Sequence, residues 1–524
     1  LSDLTNYRLI KYIIIILLIG IVLGSVSLIY PFGRDQGIYA YAGRQILDGN
    51  LQYKYVFDLK PPSVHFTFAL GEIAVGTSMQ SLRVFDLLWH CLTAIIIFLI
   101  CFRLTKGHKS SLAAAVLYLF LYYRFDYWQS MQADSFMNLP FAVSILLLLI
   151  GTDKEKFIWI FLSGIFFGLT VFYKYTILGF LPLFFVLLYF CYRKNMTSVR
   201  IAVTYTLGFL IVVFSVIIVF FSGSALKEFL DVNLVQIPNY ANIGLQTENV
   251  WYILSNLLKL FAYSIYSPLI LLIAIHFFYL FKNKKFDFPN GLILIWVLCV
   301  LINLIIQWKF FKYHFNVLFP PLAIGAVLGF TTVKEKLMKH KYFVPVSLTL
   351  VILYCLTSFN IYSSYYSDLL DYITSKKTLI EIYEKKGVTD ETEFFVIRES
   401  FKAVNYINSK TTKQDFVYIW GFDPVVYYLS GRECASRFIY NFPLYWKKDN
   451  AAFRRELITE LKQRKPKIVL ISKNDQLYLL SGYFEDSKQM VERFPELKQF
   501  VNDNYVFDHQ TQNFDYYELN EIKQ

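Results

Sequence analysis

Eleven stretches of the chain are apolar runs of membrane-helix character, near residues 9–30, 82–102, 111–123, 135–151, 157–173, 176–192, 201–221, 258–281, 291–307, 315–332 and 343–362. A run of about 17–25 apolar residues is enough to cross a bilayer as a helix. Inside hydrocarbon every backbone N–H and C=O must pair within the protein, so segments of this length fold as helices. The pattern therefore predicts a polytopic α-helical membrane protein. Composition agrees: 56% of the 524 residues are hydrophobic and 19% aromatic, too little polar material to coat a soluble domain of this size.

The formal net charge of +12 would suit a nucleic-acid partner, but its distribution excludes one. Basic residues cluster in short connectors: "RLTKGHK", "DKEK", "YRKNMTSVR", "KNKK" and "KEKLMKHK". Alternating the spans puts all of these on one side with Arg8 and Lys11, as the positive-inside rule requires of cytoplasmic loops. The N-terminus is then inside, and the first run reads as a retained signal-anchor helix. The other side receives residues 31–81, 124–134, 222–257 and everything after Tyr362. Five of the six cysteines lie in or beside apolar runs and Cys434 stands apart, so there is no disulfide framework.

This divides the chain into a membrane domain, 1–363, and an extracytoplasmic domain, 364–524. In the first outer loop, 31–81, Ile38, Ala42 and Ile46 recur every four residues and predict a short amphipathic helix in the membrane interface. Asp48-Gly49-Asn50 would stop it, and Pro61 suits the start of another helix. The second outer loop, 222–257, has a similar mixed character. Beyond 364 charges become frequent. Strand-like runs at 416–422, 467–473 and 514–520 alternate with helical patterns at 397–409, 449–464 and 488–504, which predicts one small α/β domain. No two halves of the chain share a pair of broken helices, the usual mark of a secondary transporter.

Charged residues at the outer ends of the spans are the candidates for chemistry. Asp35, Asp58, Lys60, Asp134, Lys174, Lys309, Lys312 and His314 all fall on that side, where positive charge is disfavoured. A lipid phosphate explains the gathering. Lysines neutralise the phosphate and the charge that grows on it as it leaves. A carboxylate takes the proton from an incoming hydroxyl. Each residue also has a plainer reading. Asp35 alone suits a solvated loop end, and Lys174 a lysine snorkelling from a helix end. Lys309 and Lys312 suit anionic headgroups, and His314 a packed interface histidine. No P-loop, GxGxxG or HExxH pattern is present.

The stretch "RDQGIYAYAGRQILDGNLQYKYVFDLKPP" at 34–62 resembles the first outer loop of polytopic glycosyltransferases of GT-C fold. The branch is that of the dolichyl-phosphate-mannose protein mannosyltransferases and lipid A aminoarabinose transferases. Further pieces follow in order: "ADSFMNLP" at 133–140, "YKYT" at 173–176, "KFFKYHFNVLFPPLA" at 309–323 and "VYIWGFDPVVYYLSGRECASRF" at 417–438. The resemblance implies that Asp35 is the first-loop catalytic base and that Lys60, of Lys-Pro-Pro, meets the carrier phosphate. Lys174, Lys309 and Lys312 are then further phosphate-side residues. Arg34, Tyr39, Asp58, Asp134, Tyr313 and His314 belong to the sugar or acceptor site. Leu59 stands where some relatives carry a metal-site Glu, and no catalytic metal or other cofactor is implied.

The expected activity is inverting transfer of one sugar from a polyprenyl-phosphate donor to a hydroxyl acceptor (a glycan, lipid or protein) at the outer face of the cytoplasmic membrane. Two other readings stand beside it: a transporter or flippase for a lipid-linked glycan, and a non-catalytic membrane scaffold that binds glycans.

Overall fold

A computed structural model describes residues 3–192, 196–247, 250–337, 343–385, 387–390, 393–446, 450–476 and 478–520. The chain forms two compact units, and neither is one continuous segment. The first comprises Leu1–Tyr30, Gln80–Ile218 and Val250–Leu370. The second comprises Pro31–Met79, Val219–Asn249 and Asp371–Gln524, so most of both outer loops groups with the C-terminal region rather than with its sequence neighbours.

The first unit is helical, and each of the eleven apolar stretches forms helix. Among the described residues six helices have the length and composition to cross a membrane: Leu9–Ile29, Met79–Thr105, Ala133–Asp153, Thr197–Ser222, Phe288–Gln307 and Lys312–Lys336. Val250–Ala262 and Ser267–Lys282 make a seventh candidate, bent by 78°. Phe157–Val171, Tyr175–Cys191 and His108–Tyr123 are shorter. The expected span at 343–362 is divided into Phe343–Leu356 and Phe359–Ile373. The count of eleven thus reflects apolar runs, several of which are shorter than a full crossing. The chain is a multi-pass membrane protein.

Polar pairs fasten the helices where hydrocarbon offers no hydrophobic drive. Ser163 Oγ donates to the Ser144 carbonyl at 2.7 Å, joining Phe157–Val171 to Asn138–Asp153. Tyr362 donates to the Phe120 carbonyl at 2.9 Å.

The second unit is built on a five-stranded sheet. The strands of the C-terminal region are β1 (Gly387–Asp390), β2 (Glu393–Val396), β3 (Phe416–Trp420), β4 (Glu433–Cys434), β5 (Ile468–Ser472), β6 (Tyr505–Gln510) and β7 (Phe514–Leu519). β1 and β2 form a separate antiparallel pair, and the main sheet runs β4-β3-β5-β7-β6. β4, β3 and β5 are parallel, with Tyr418 beside Val469; β7 and then β6 add antiparallel. β5, "IVLIS", is buried along its whole length, as a central parallel strand covered on both faces must be. Helices Ile397–Lys410 and Asn450–Arg464 match the expected positions. The third expected helix is split into Ser487–Val491 and Pro495–Asn504, because Pro495 cannot continue a helix but can begin one.

The helix expected over the first outer loop is present as Arg34–Leu47, and Gly49, with φ at 88°, ends it as a glycine can. Its surroundings differ from those expected. Ten of its fourteen residues are buried, including Arg34, Gln36, Tyr39 and Gln45, so protein covers most of its surface, polar side chains included. A period of four specifies a helix with an apolar face; it does not say whether lipid or protein covers it.

Candidate active site

The second unit holds the first group of candidate residues. Gly33 caps helix Arg34–Leu47, its N–H donating to Gln36 Oε1 at 3.0 Å, which ties down the first turn. Asp35 lies in that turn and is only part-buried, and Tyr39 follows one turn later, fully buried. The Tyr39 ring meets His65 edge-on, with centroids 5.9 Å apart. His65 Nε2 in turn lies 2.7 Å from Asp58 Oδ2, both side chains being buried. Asp58 Oδ1 accepts from the Leu59 N–H at 2.7 Å and faces the Tyr440 hydroxyl at 3.4 Å.

Burial pushes up the phenols of Tyr240 and Tyr440, and the carboxylates of Asp35 and Asp58 add to the rise in both. Asp35, Asp58, Tyr240 and Tyr440 therefore share one electrostatic neighbourhood. Lys60 sits on a loop pinned to the core, its carbonyl accepting from Tyr53 at 2.8 Å. Arg437 donates to the Tyr53 carbonyl at 2.9 Å, while its own carbonyl accepts from the Phe57 N–H at 2.7 Å. Glu456 meets one edge of the Arg437 guanidinium with both carboxylate oxygens, accepting from Nε and Nη2. Such a two-point clasp fixes direction as well as charge.

The fit of this corner to a metal ion can be tested on its donors. Two ligands of one tetrahedral zinc ion, each at about 2.0–2.1 Å, sit well over 3 Å apart. Asp58 and His65 are instead at hydrogen-bond distance, and no group of three or more His, Cys, Asp or Glu suited to a metal occurs among the described residues. Asp58 and His65 as placed do not fit a metal cage.

Arg34, expected in a sugar or acceptor site, lies in the same unit. Its side chain is 1% exposed and lies over the rings of Phe395 and Phe422, at 5.3 and 5.2 Å. It is packed among aromatic side chains of the α/β region.

The first unit holds the remainder. Asp134, fully buried in the first turn of helix Ala133–Phe136, forms an ion pair with Lys174, which also donates to Gln307. Thr176 donates to Asn303 nearby on the same two segments. Helix Phe288–Gln307 ends where Trp308, at φ 64°, takes a left-handed turn, and this leads into "KFFKYH". Lys309 is buried and Lys312 exposed. His314 packs against the rings of Tyr313 and Phe311, at 4.6 and 5.3 Å, the packed-histidine arrangement. Asn138 donates to the Asn316 carbonyl at 2.9 Å, tying the Asp134 segment to the turn that carries His314.

A further polar group does not stand out among the charged loops because it sits inside an apolar run. Arg83, Asp86 and His90, three and four residues apart on helix Met79–Thr105, are fully buried. Arg83 donates to Ser130 Oγ at 2.7 Å, Tyr122 donates to Asp86 at 2.8 Å, and His90 Nδ1 lies 2.6 Å from the Tyr118 hydroxyl. The sequence does carry a signal for it: ionisable residues within a membrane span, at helical spacing, mark a bundle-facing network.

Residues 59–220 match the family profile of dolichyl-phosphate-mannose-protein mannosyltransferases, a stretch that contains Lys60, Asp134 and Lys174. No curated protein matches the chain. Among solved structures, ArnT from Cupriavidus metallidurans bound to undecaprenyl phosphate is similar at a TM-score of 0.56. The two are 12% identical, and the likeness covers 98% of each chain. The chain therefore has the GT-C fold, and its residues 59–220 resemble the mannosyltransferase family.

Proposed function

We propose that the protein is an inverting glycosyltransferase that moves a single sugar from a polyprenyl phosphate to a hydroxyl acceptor at the outer face of the cytoplasmic membrane. The observation that carries this reading is a coincidence of two likenesses. The mannosyltransferase profile covers Lys60, Asp134 and Lys174, and the likeness to a structure bound to undecaprenyl phosphate extends over 98% of the chain.

In the proposed reaction the Asp35 carboxylate takes the proton of the acceptor hydroxyl, and the oxygen attacks the anomeric carbon from the face opposite the phosphate. The new C–O bond forms as the bond to the phosphate oxygen breaks, and the electron pair leaves with the polyprenyl phosphate. A hydroxyl is a weak nucleophile until deprotonated, so the base is worth about 10²–10⁴-fold. Lys60, Lys174, Lys309 and Lys312 are the proposed cations for the growing phosphate charge. Tyr39, Asp58, Asp134, Tyr313 and His314 are proposed to shape the sugar and acceptor sites.

The test is sugar release from labelled polyprenyl-phosphate donors by purified protein with crude envelope acceptors, for wild type and Asp35→Asn, with and without EDTA. Transfer by wild type alone, unchanged by EDTA, is expected. Binding of donor without turnover by either protein would replace this reading with transport or scaffolding.

A further inference from the structure

The α/β sheet has strand ends of the kind at which ligands bind. In open α/β sheets ligands sit outside the carboxyl ends of parallel strands, where the connections diverge. Here the adjacent parallel strands β3 and β5 end at Trp420 and Ser472, and their connections leave in different directions, since β3 is flanked by β4 on one side and β5 on the other. Asp423 follows β3 and Asp475 follows β5, and both are 2% exposed.

Each carboxylate is itself held. Ser400 donates to Asp423 at 3.2 Å, and Ser487 donates to Asp475 through its N–H at 2.8 Å and its hydroxyl at 2.7 Å. Burial pushes both carboxyls up, Asp423 to about 7, and the Arg34 guanidinium is the first influence opposing that rise in each. Phe422, next to Asp423, supplies one of the two rings over which Arg34 lies. The same loop continues into Val425, whose backbone is so close to Gly37 that an added Cβ would lie 2.5 Å from the Val425 nitrogen. One loop, 421–425, therefore grips helix Arg34–Leu47 twice: at Arg34 through charge and aromatic stacking, and one turn on through a glycine contact.

We infer that Arg34 is a positioning residue, seated between the Asp423 and Asp475 carboxylates at the strand ends, and that this seat fixes the first helical turn and with it the neighbouring Asp35. The C-terminal α/β unit then uses its strand-end crevice to clamp the helix that carries the base. An arginine suits this better than a lysine, since its planar fork can meet two carboxylates while lying on aromatic rings.

This inference rests on Asp35 being the base, so its test separates the two. Turnover and donor affinity are measured for full-length wild type, Arg34→Met, Asp35→Asn and the double variant, with Asp423→Asn and Asp475→Asn as independent ways to loosen the seat. Arg34→Met is expected to lower kcat at least tenfold with donor Kd within twofold of wild type. It should have no further effect in the Asp35→Asn background, because it acts through Asp35. Arg34→Lys should recover only part of the loss, and both Asp variants should lower kcat in the same direction. Equal losses from Arg34→Met in both backgrounds would overturn the positioning role. Wild-type turnover in Asp35→Asn would overturn the base itself. If Arg34→Met does not fold, wild-type kcat in both Asp423→Asn and Asp475→Asn would overturn the seat.

Discussion

Asp35 and Asp134 are both carboxylates in the first turn of a helix, yet one is part-exposed and the other is buried against a lysine. The Asp134 side chain is 1% exposed and its charge is answered by Lys174, a residue further held by Gln307. Asp35 stands in a neighbourhood of like charge and phenols, with Asp58, Tyr240 and Tyr440. A base needs an accessible lone pair, and the Asp134 carboxylate is buried in an ion pair. In the proposed reaction Asp35 is the base, and Asp134 is the ion-pair partner of Lys174.

The largest effect that bears on this contrast is on stability. Asp134→Leu leaves the Lys174 ammonium without its carboxylate and should cost about 3 kcal/mol, the lower end for breaking a buried pair. Thermal unfolding in detergent measures it, and Asp134→Leu with Lys174→Met should regain most of the loss. Asp35→Leu, at a part-exposed position, should shift unfolding far less; an equal shift would erase the difference between the two carboxylates. Next in size is Asp58→Ala. It removes the acceptor of a buried histidine nitrogen, at about 1–3 kcal/mol, and should lower the unfolding temperature without abolishing donor binding.

A third effect is on pH dependence. Asp423 faces Arg34, Asp475, Ser400 and Tyr516, and burial raises its carboxyl to about 7. A carboxyl raised on folding binds more protons folded than unfolded. Its contribution is therefore fully present below the ordinary carboxyl range and is lost as pH rises toward 7. The slope is at most about 1.4 kcal/mol per pH unit. Asp423→Asn should flatten the unfolding temperature between pH 4 and 7, and an unchanged slope would place the titration elsewhere.

Much of this is legible in the sequence, for identifiable reasons. Apolar runs mark the membrane helices, and "FVYIW" and "KIVLIS" mark two central strands, because a strand covered on both faces must be continuously apolar. β4 is not legible, being two residues long, nor is β6, whose residues are mostly exposed. At the site, Asp35, Lys60, Asp134 and Lys174 are visible as charges in unusual places. Their partners are not: Lys174 meets a residue 40 positions away and another 133 positions away, and spacing carries no trace of either. Arg34 reads together with Asp35 because it is adjacent in sequence. On a helix, however, neighbouring residues point about 100° apart, and this one turns into the sheet.

The division of labour between the two carboxylates is tested most directly by measuring kcat and donor Kd for Asp35→Asn and Asp134→Asn side by side. Asp35→Asn should lower kcat by about 10²–10⁴-fold with donor affinity unchanged, as loss of a group that acts only in the transition state requires. Asp134→Asn should weaken donor binding and leave the larger share of kcat. Near-normal turnover in Asp35→Asn, with turnover abolished in Asp134→Asn at intact affinity, would reverse the two roles.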